Sequence, residues 1–424
     1  MFQVLTGSWA LFLGMFLLMV GNGLQGTLLG LRGEMEGFST LALSFVMSAY
    51  FLGFLFSSRF TPELIRRVGH VRVFAAMGSM ISAVLILYPT LVDPIAWTIG
   101  RVIMGFCFCG VYITAESWLN DASSNANRGK ALSLYMIVQM AGIVFAQYIV
   151  SLGDVSGYVI FIIPSVLVSL AFAPVLLSAR PMPAFSATKP MQIKALIQTS
   201  PLGCAGMFLL GGVFAAQFGM SAVYGSRVGL SVGEISFFIS AIYVAALVLQ
   251  YPIGWLSDRM DRRRLIIWIA LLGGFGSLIA FIVPGSFVLI IISGAIVGGT
   301  SNPLYALLIA YTNDYLEKED MAAASGGLLF INGLGAIMGP LIVGLMMDVI
   351  GDNGFWLFTA VLMLGVGLFG MVRAAQRDRG ALDLDQVPYA PVSAGSSAVA
   401  VGVAQEVYLD AVSDEIAARA DQDA

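Results

Sequence analysis

YPIGWLSDRMDRRRL, residues 251–265, crowds Asp258, Arg259, Asp261, Arg262, Arg263 and Arg264 into a short turn between two long apolar runs, 232–255 and 264–283. Each run is long enough to cross ~30 Å of hydrocarbon at about 1.5 Å of helical rise per residue. Lipid offers no partner to an open backbone N–H or C=O, so runs of this kind are read as helices. The charged turn is then a loop where the chain leaves the bilayer.

Working outward, ten further runs of the same character fall at 7–30, 38–58, 71–91, 94–118, 130–152, 157–177, 201–224, 286–311, 322–346 and 355–374. Of the 424 residues, 58% are hydrophobic and 11% charged, against about 25% charged in a typical soluble domain. The predicted fold is an all-α integral membrane protein with twelve transmembrane helices in two pseudo-symmetric six-helix bundles. The N-terminal run lacks a basic leader and a small-residue cleavage site, so it is read as the first span rather than a removed signal. Cys107, Cys109 and Cys204 all lie in apolar runs and read as small buried hydrophobes. One histidine in the whole chain cannot build a histidine-rich metal site, and neither metal nor cofactor is expected.

Basic residues alternate from loop to loop. Arg59, Arg66, Arg67 and Arg72, then Arg128 and Lys130, then Arg180, Lys189 and Lys194, then Arg259 and Arg262–Arg264, then Lys318, then Arg373, Arg377 and Arg379 all fall on one side. The other side holds only Arg32 and Arg227. By the positive-inside rule the rich side is cytoplasmic, and an even number of spans returns both termini there. The longest connection, with Pro181, Pro183 and Pro190, follows span six. The expected domains are a bundle over 1–177, a cytoplasmic linker over 178–200, a second bundle over 201–377 and a tail over 378–424. The tail carries nine acidic and two basic side chains and is rich in Ala, Ser, Pro and Gly. It reads as a flexible acidic extension, with a short apolar periodicity at 405–419 that could dock a cytoplasmic protein.

The turn at 254–266 has a counterpart at 53–74, in the same place in the first half. In the second, Gly254, Asp258, Arg259, Arg262 and Arg263 resemble the signature loop of the major facilitator superfamily. In the first, Gly53, Arg67, Gly69 and Arg72 keep glycine and basic positions, while Ser57 stands where that family places an acid. Arg101 with Gly105 in span four also resembles a motif of this family. LIRRVGHVR (64–72), AESWLND (115–121), RGKALSLYM (128–136) and the opening stretch resemble its YcaD-like bacterial branch. Gly335, Gly339 and Pro340 resemble a motif that exporting antiporters carry in span five, and span five here lacks it. The resemblance implies a non-enzymatic transporter of the bacterial inner membrane working by alternating access between two bundles. It implies gating roles for the loop residues just named, and it brings in riboflavin as one substrate to consider.

A polar side chain in lipid needs a partner, water or a task. Arg101 is predicted to face a cavity near Asn22 and Gln25, although a structural arginine bonded to carbonyls is the competing reading. Gln139, Gln147, Gln217, Tyr224, Tyr243, Gln250, Asn302, Tyr305 and Asn332 complete the substrate-binding candidates. Polar residues of membrane helices also hold helices to each other. Together they outline an uncharged, hydrogen-bonding cavity with one cation, suited to a moderately polar organic molecule. Glu116, about 22 Å along the helix from Arg101, is the proton-coupling candidate, with anchoring of the helix end as the alternative. The expected partners are a small-molecule substrate, protons in a coupled cycle and membrane lipid. No nucleic acid is expected, and the chain is read as a monomer. Uptake is favoured over efflux by proton antiport, and a transporter-like sensor without flux is the remaining alternative.

Overall fold

The computed structural model describes residues 2–122, 125–176 and 191–376, with Tyr389, Val392, Ser396, Ser397, 399–402 and Ala404 beyond them. Pro181, Pro183, Pro190, Arg180, Lys189, Arg377, Arg379 and the segment 405–419 lie outside the described residues.

Among the described residues, twelve helices are long and apolar enough to cross a membrane. In the first half these are α1 (Phe2–Met35), α2 (Thr40–Val68), α3 (His70–Thr90), α4 (Pro94–Ala122), α5 (Asn125–Leu152) and α6 (Val159–Leu176). A short α7 (Ile193–Thr199) precedes the seventh span, which is α8 (Pro201–Ala215), a π turn at Ala216–Met220 and α9 (Ser221–Arg227). The remaining spans are α10 (Val232–Ser257), α11 (Arg262–Ile282), α12 (Phe287–Asn313), α13 (Lys318–Ile350) and α14 (Gly354–Gln376). Most helices outrun their apolar windows, because charged residues such as Arg32 and Arg262 continue the helix beyond the hydrocarbon.

Local chemistry ends and starts the spans. Ser39 Oγ accepts from Ala42 N to begin α2, Ser231 and Glu234 form a reciprocal capping box at α10, and Asp261 accepts from Arg264 N at α11. These side chains satisfy N–H groups that have no partner within their helix. Gly69 turns α2 directly into α3 with φ of 86°, a conformation that glycine adopts without steric cost.

The two halves repeat one packing scheme. α2 lies on α4 as α10 lies on α12, α3 on α6 as α11 on α14, α1 on α5 as α8 on α13, and α1 on α6 as α8 on α14. Glycines set the tightest crossings. A Cβ on Gly53 would meet the Val102 carbonyl and one on Gly105 the Tyr50 carbonyl, so α2 and α4 touch through their backbones. Gly211 and Gly335 do the same for α8 and α13. Lipid supplies little hydrophobic drive between helices, so such close approach is how they gain attraction.

Between halves, α1 packs on α9, α2 on α13 and α5 on α10. Gly30 abuts Ala222, Ser44 abuts Gly344, and Ser48 Oγ donates to the Ile337 carbonyl. Arg227 crosses this end, reaching Thr40, Asp348 at 3.0 Å and Asp352 at 2.7 Å. These contacts gather toward the arginine-poor end. At the basic end, the end of Arg66, Arg72 and Arg262, no comparable packing joins α4 to α12 among the described residues.

Candidate functional site

The α2–α4 crossing at Gly53 and Gly105 holds Arg101 one turn away, against the backbone of α2. Arg101 is fully buried. Its Nη1 donates to Gln25 Oε1 at 2.6 Å, its Nε to the Val46 carbonyl at 3.4 Å, and its Nη2 to Met47 Sδ at 3.4 Å. The guanidinium carbon lies 4.8 Å from the Tyr50 ring centre and 6.0 Å from that of Phe218, which comes from the other half. Among the described residues no carboxylate pairs with it. A buried cation is thus held by neutral dipoles and aromatic faces, which replace part of its lost hydration.

From Arg101 a polar chain runs inward. Gln25 Nε2 donates to Asn22 Oδ1 at 2.9 Å, and Asn22 Nδ2 donates to Tyr112 OH at 2.8 Å. Tyr50 OH also donates to Asn22 Oδ1, at 3.4 Å. Tyr112 and Glu116 lie 11 and 15 residues after Arg101, so on a helix of 100° per residue they point within about 20° and 60° of it. Tyr135 OH donates to Glu116 Oε1 at 3.2 Å, and Gln139 neighbours Tyr135. α4 therefore presents one polar stripe from a cation to a carboxyl group.

The second half faces this stripe with fewer spent groups. Tyr305 is fully buried, sits edge-on to Phe214 at 5.8 Å, and lies within electrostatic reach of Glu116. Its hydroxyl has no hydrogen-bond partner among the described residues. Asn302, one turn earlier, makes no protein hydrogen bond among them either. Tyr243 lies within electrostatic reach of Tyr50 across the halves. Gln217, in the π turn, donates to Ser301 Oγ at 3.2 Å.

Other candidates have protein partners of their own. Gln147 accepts from Thr27 at 3.0 Å and ties α5 to α1. Asn332 donates to the Met207 carbonyl at 2.9 Å and ties α13 to α8. Tyr224 stacks on Phe355 at 4.9 Å, with Phe238 and Trp356 around it, away from the polar stripe. Gln250 donates to Tyr389 OH at 2.8 Å.

In the charged turns, Asp258 and Arg259 do not pair with one another. Asp258 accepts from Tyr389 N at 2.9 Å. Arg259 lies 4.2 Å over the Trp255 ring and donates to the Trp255 carbonyl. The ion pair of this region belongs to buried Arg262, which reaches Asp314 at 2.6 Å and Ser257 at 3.0 Å. Arg263 is also buried, and Gly254 lies flat against the Tyr389 ring. In the first-half turn Arg66 and Arg67 hold Glu63 at 2.6 and 2.7 Å, and Arg72 is exposed.

Tyr50, Tyr112, Tyr135 and Asp314 escape a reading of the sequence alone. Asp314 had a signal: it closes span ten as Glu116 closes span four, and the two spans are repeats of one another. Nothing local marks Ser397, which donates its N–H to Glu116 at 3.1 Å and its hydroxyl to the same carboxylate.

A family model described as Major Facilitator Superfamily matches residues 11–226 and 202–400. The chain is 26% identical over 355 residues to the protein named uncharacterized MFS-type transporter YcaD of Salmonella arizonae, covering 82% of this chain and 90% of that one. It is 25% identical to the YcaD of Salmonella typhimurium over the same length. Among solved structures, the nucleoside transporter NupG superposes with a TM-score of 0.70 at 16% identity, over 88% of this chain and 99% of that one. A bacterial homolog of the human lysosomal transporter Spinster, in an inward-facing and unoccupied conformation, gives 0.67 at 14%, over 96% and 98%.

Proposed function

We propose, for a chain that belongs to the Major Facilitator Superfamily, that the interior described above carries a moderately polar organic solute bearing ring or carbonyl groups, in the uptake direction. Secondary transport of a small solute by alternating access follows from the family. The protein is a multi-pass membrane protein rather than an enzyme.

The observation that carries it is Arg101, a buried cation with no carboxylate partner among the described residues, wired through Gln25 and Asn22 to Tyr112. Its field favours an electron-rich group in the cleft, while uncharged side chains line the rest. Gln25 occupies Arg101 Nη1 in this conformation, so a substrate acceptor would replace Gln25 rather than meet an open guanidinium. Asn302 and Tyr305 retain unspent hydrogen-bonding capacity and offer the second half's share of the site. Gln147, Asn332 and Tyr224, spent on packing, recede from it. Glu116 remains the candidate proton carrier, because it is the acid on the stripe.

Orientation follows the basic loops. The end of Arg66, Arg67, Arg72 and Arg262 is assigned to the cytoplasm with both termini, in the bacterial inner membrane. The halves then meet toward the outside, and the conformation opens inward. The Arg262–Asp314 pair, rather than Asp258 with Arg259, is proposed to lock the cytoplasmic end of the second half in this state.

The test is a thermal-stabilisation screen of purified protein with neutral ring compounds and small carboxylates, then uptake of the strongest hit into sealed vesicles under an imposed pH gradient. Arg101→Ala should abolish the ligand-induced stabilisation while the protein remains monodisperse. Undiminished binding by that variant would remove Arg101 from the site.

A further inference from the structure

The described residues of the tail are not spread in solvent. Tyr389, Val392, Ser396, Ser397, Ala400, Val401 and Ala404 are all 5% exposed or less. Their partners lie on both halves at the basic end. On α10 and its C-terminal cap, three positions spaced four apart receive Tyr389. Gln250 donates to its hydroxyl at 2.8 Å, Gly254 makes room for its ring, and Asp258 accepts its N–H at 2.9 Å. On α4, Glu116 accepts both the N–H and the hydroxyl of Ser397. Ser397 Oγ then accepts from Val399 N at 3.2 Å and its carbonyl from Val401 N at 3.2 Å, which starts a helical turn.

We propose that the described tail residues, Tyr389, Val392, Ser396, Ser397, 399–402 and Ala404, act as a tethered plug, which occupies the cleft between the halves at the basic end and withdraws before solute enters or leaves there. The inference rests on the alternating-access reading and goes beyond it. The halves pack on one another toward the opposite end, so at the basic end this segment joins α4 to α10. Rocking the halves shut requires α4 and α10 to approach, and the segment stands between them. The described residues Ser396, Ser397, 399–402 and Ala404 suit the role. Small side chains let a backbone enter a narrow cleft and present N–H and hydroxyl groups to a buried carboxylate. About a dozen residues separate Gln376 from Tyr389, and so short a tether gives an effective concentration of about millimolar. Few contacts are needed to keep the plug seated, and few need break to release it.

The plug also competes with solute for Glu116. Both donors of Ser397 are spent on that carboxylate, so a docked tail withholds it from the solute and from proton exchange.

The test reads accessibility, so it stands or falls apart from any flux result. In full-length protein carrying Cys107→Ala, Cys109→Ala and Cys204→Ala, a cysteine reporter at Asn302 is titrated with a membrane-impermeant maleimide from the basic face. Labelling should be slow with the native tail. Tyr389→Phe and Ser397→Ala should each speed it ~2- to 10-fold, the ratio that loss of one hydrogen bond gives. Val401→Asp, which sets a charge at a fully buried tail position, should speed it further. Equal rates in all four proteins overturn the plug. A second reporter, Ala400→Cys, should react slowly when folded and faster when Glu116→Gln is added. Reaction at the rate of the denatured chain in the otherwise native protein also overturns it.

Discussion

At the scale of single residues, the protein handles two of its buried arginines, Arg262 and Arg101, in opposite ways. Arg262 has a carboxylate, Asp314, at 2.6 Å, and Arg101 has none among the described residues. Breaking a buried ion pair leaves one charge uncompensated, at a cost of about 3–5 kcal/mol. Arg262→Ala should therefore lower the melting temperature of the detergent-purified protein clearly, and adding Asp314→Asn should recover part of the loss. A double variant no more stable than Arg262→Ala alone contradicts the pairing. Arg101 depends on shape instead. Its fork reaches Gln25, the Val46 carbonyl and Met47 Sδ together, and its central carbon lies over the Tyr50 ring. A lysine offers one compact ammonium and no plane. Arg101→Lys should keep the charge and still weaken ligand binding at least ~10-fold, about 1.4 kcal/mol, as read by isothermal titration with a ligand found in the screen.

At the scale of elements, glycines matter more than the apolar surface around them. At Gly53 and Gly105 an added Cβ has a backbone carbonyl in its way rather than the flexible end of a side chain, so relief requires α2 and α4 to part. Gly105→Ala should destabilise by ~1–3 kcal/mol, as overpacking does in tight cores. Gly233→Ala, where nothing lies within 4 Å, should leave the melting curve unchanged. If Gly105→Ala behaves as Gly233→Ala does, α2 and α4 are not in backbone contact. The π turn at Ala216–Met220 is the other local irregularity. It holds Gln217 against Ser301 and Phe218 against Tyr50, and such bulges concentrate at functional sites.

At the scale of the whole molecule, closure toward the arginine-poor end and the tail at the basic end are two ends of one lever. Arg227 clamps the first, reaching Thr40 in one half and Asp348 and Asp352 in the other. Exposed pairs contribute about 0–1 kcal/mol each, so Arg227→Ala should shift the inward–outward balance by several-fold without unfolding the protein. Thiol labelling of Ala222→Cys, against Gly30, reads that shift, and a rate equal to that of the Arg227 parent refutes the clamp. At the same end Arg32, paired with Glu36, donates to the backbone of Val155 and Ser156 and braces α1 on the loop before α6.

The sequence by itself determined the number of spans, their helical nature and the likeness of the two halves, because hydropathy, loop charge and glycine spacing are written locally along the chain. It also singled out Arg101, Asn22 and Gln25 as neighbours, since two helix faces and one family pattern agree there. Only the tertiary structure decided which polar groups are spent on one another and which stay open. Asn332 and Asn302 look alike in sequence, yet one bonds the Met207 carbonyl and the other bonds no described residue. The tail shows the same limit. Its composition is that of a solvated extension, and Ser397 meets Glu116 across 281 positions. Such a contact exists because the packing of the halves shapes a cleft of matching chemistry, and no local pattern of residues encodes that cleft.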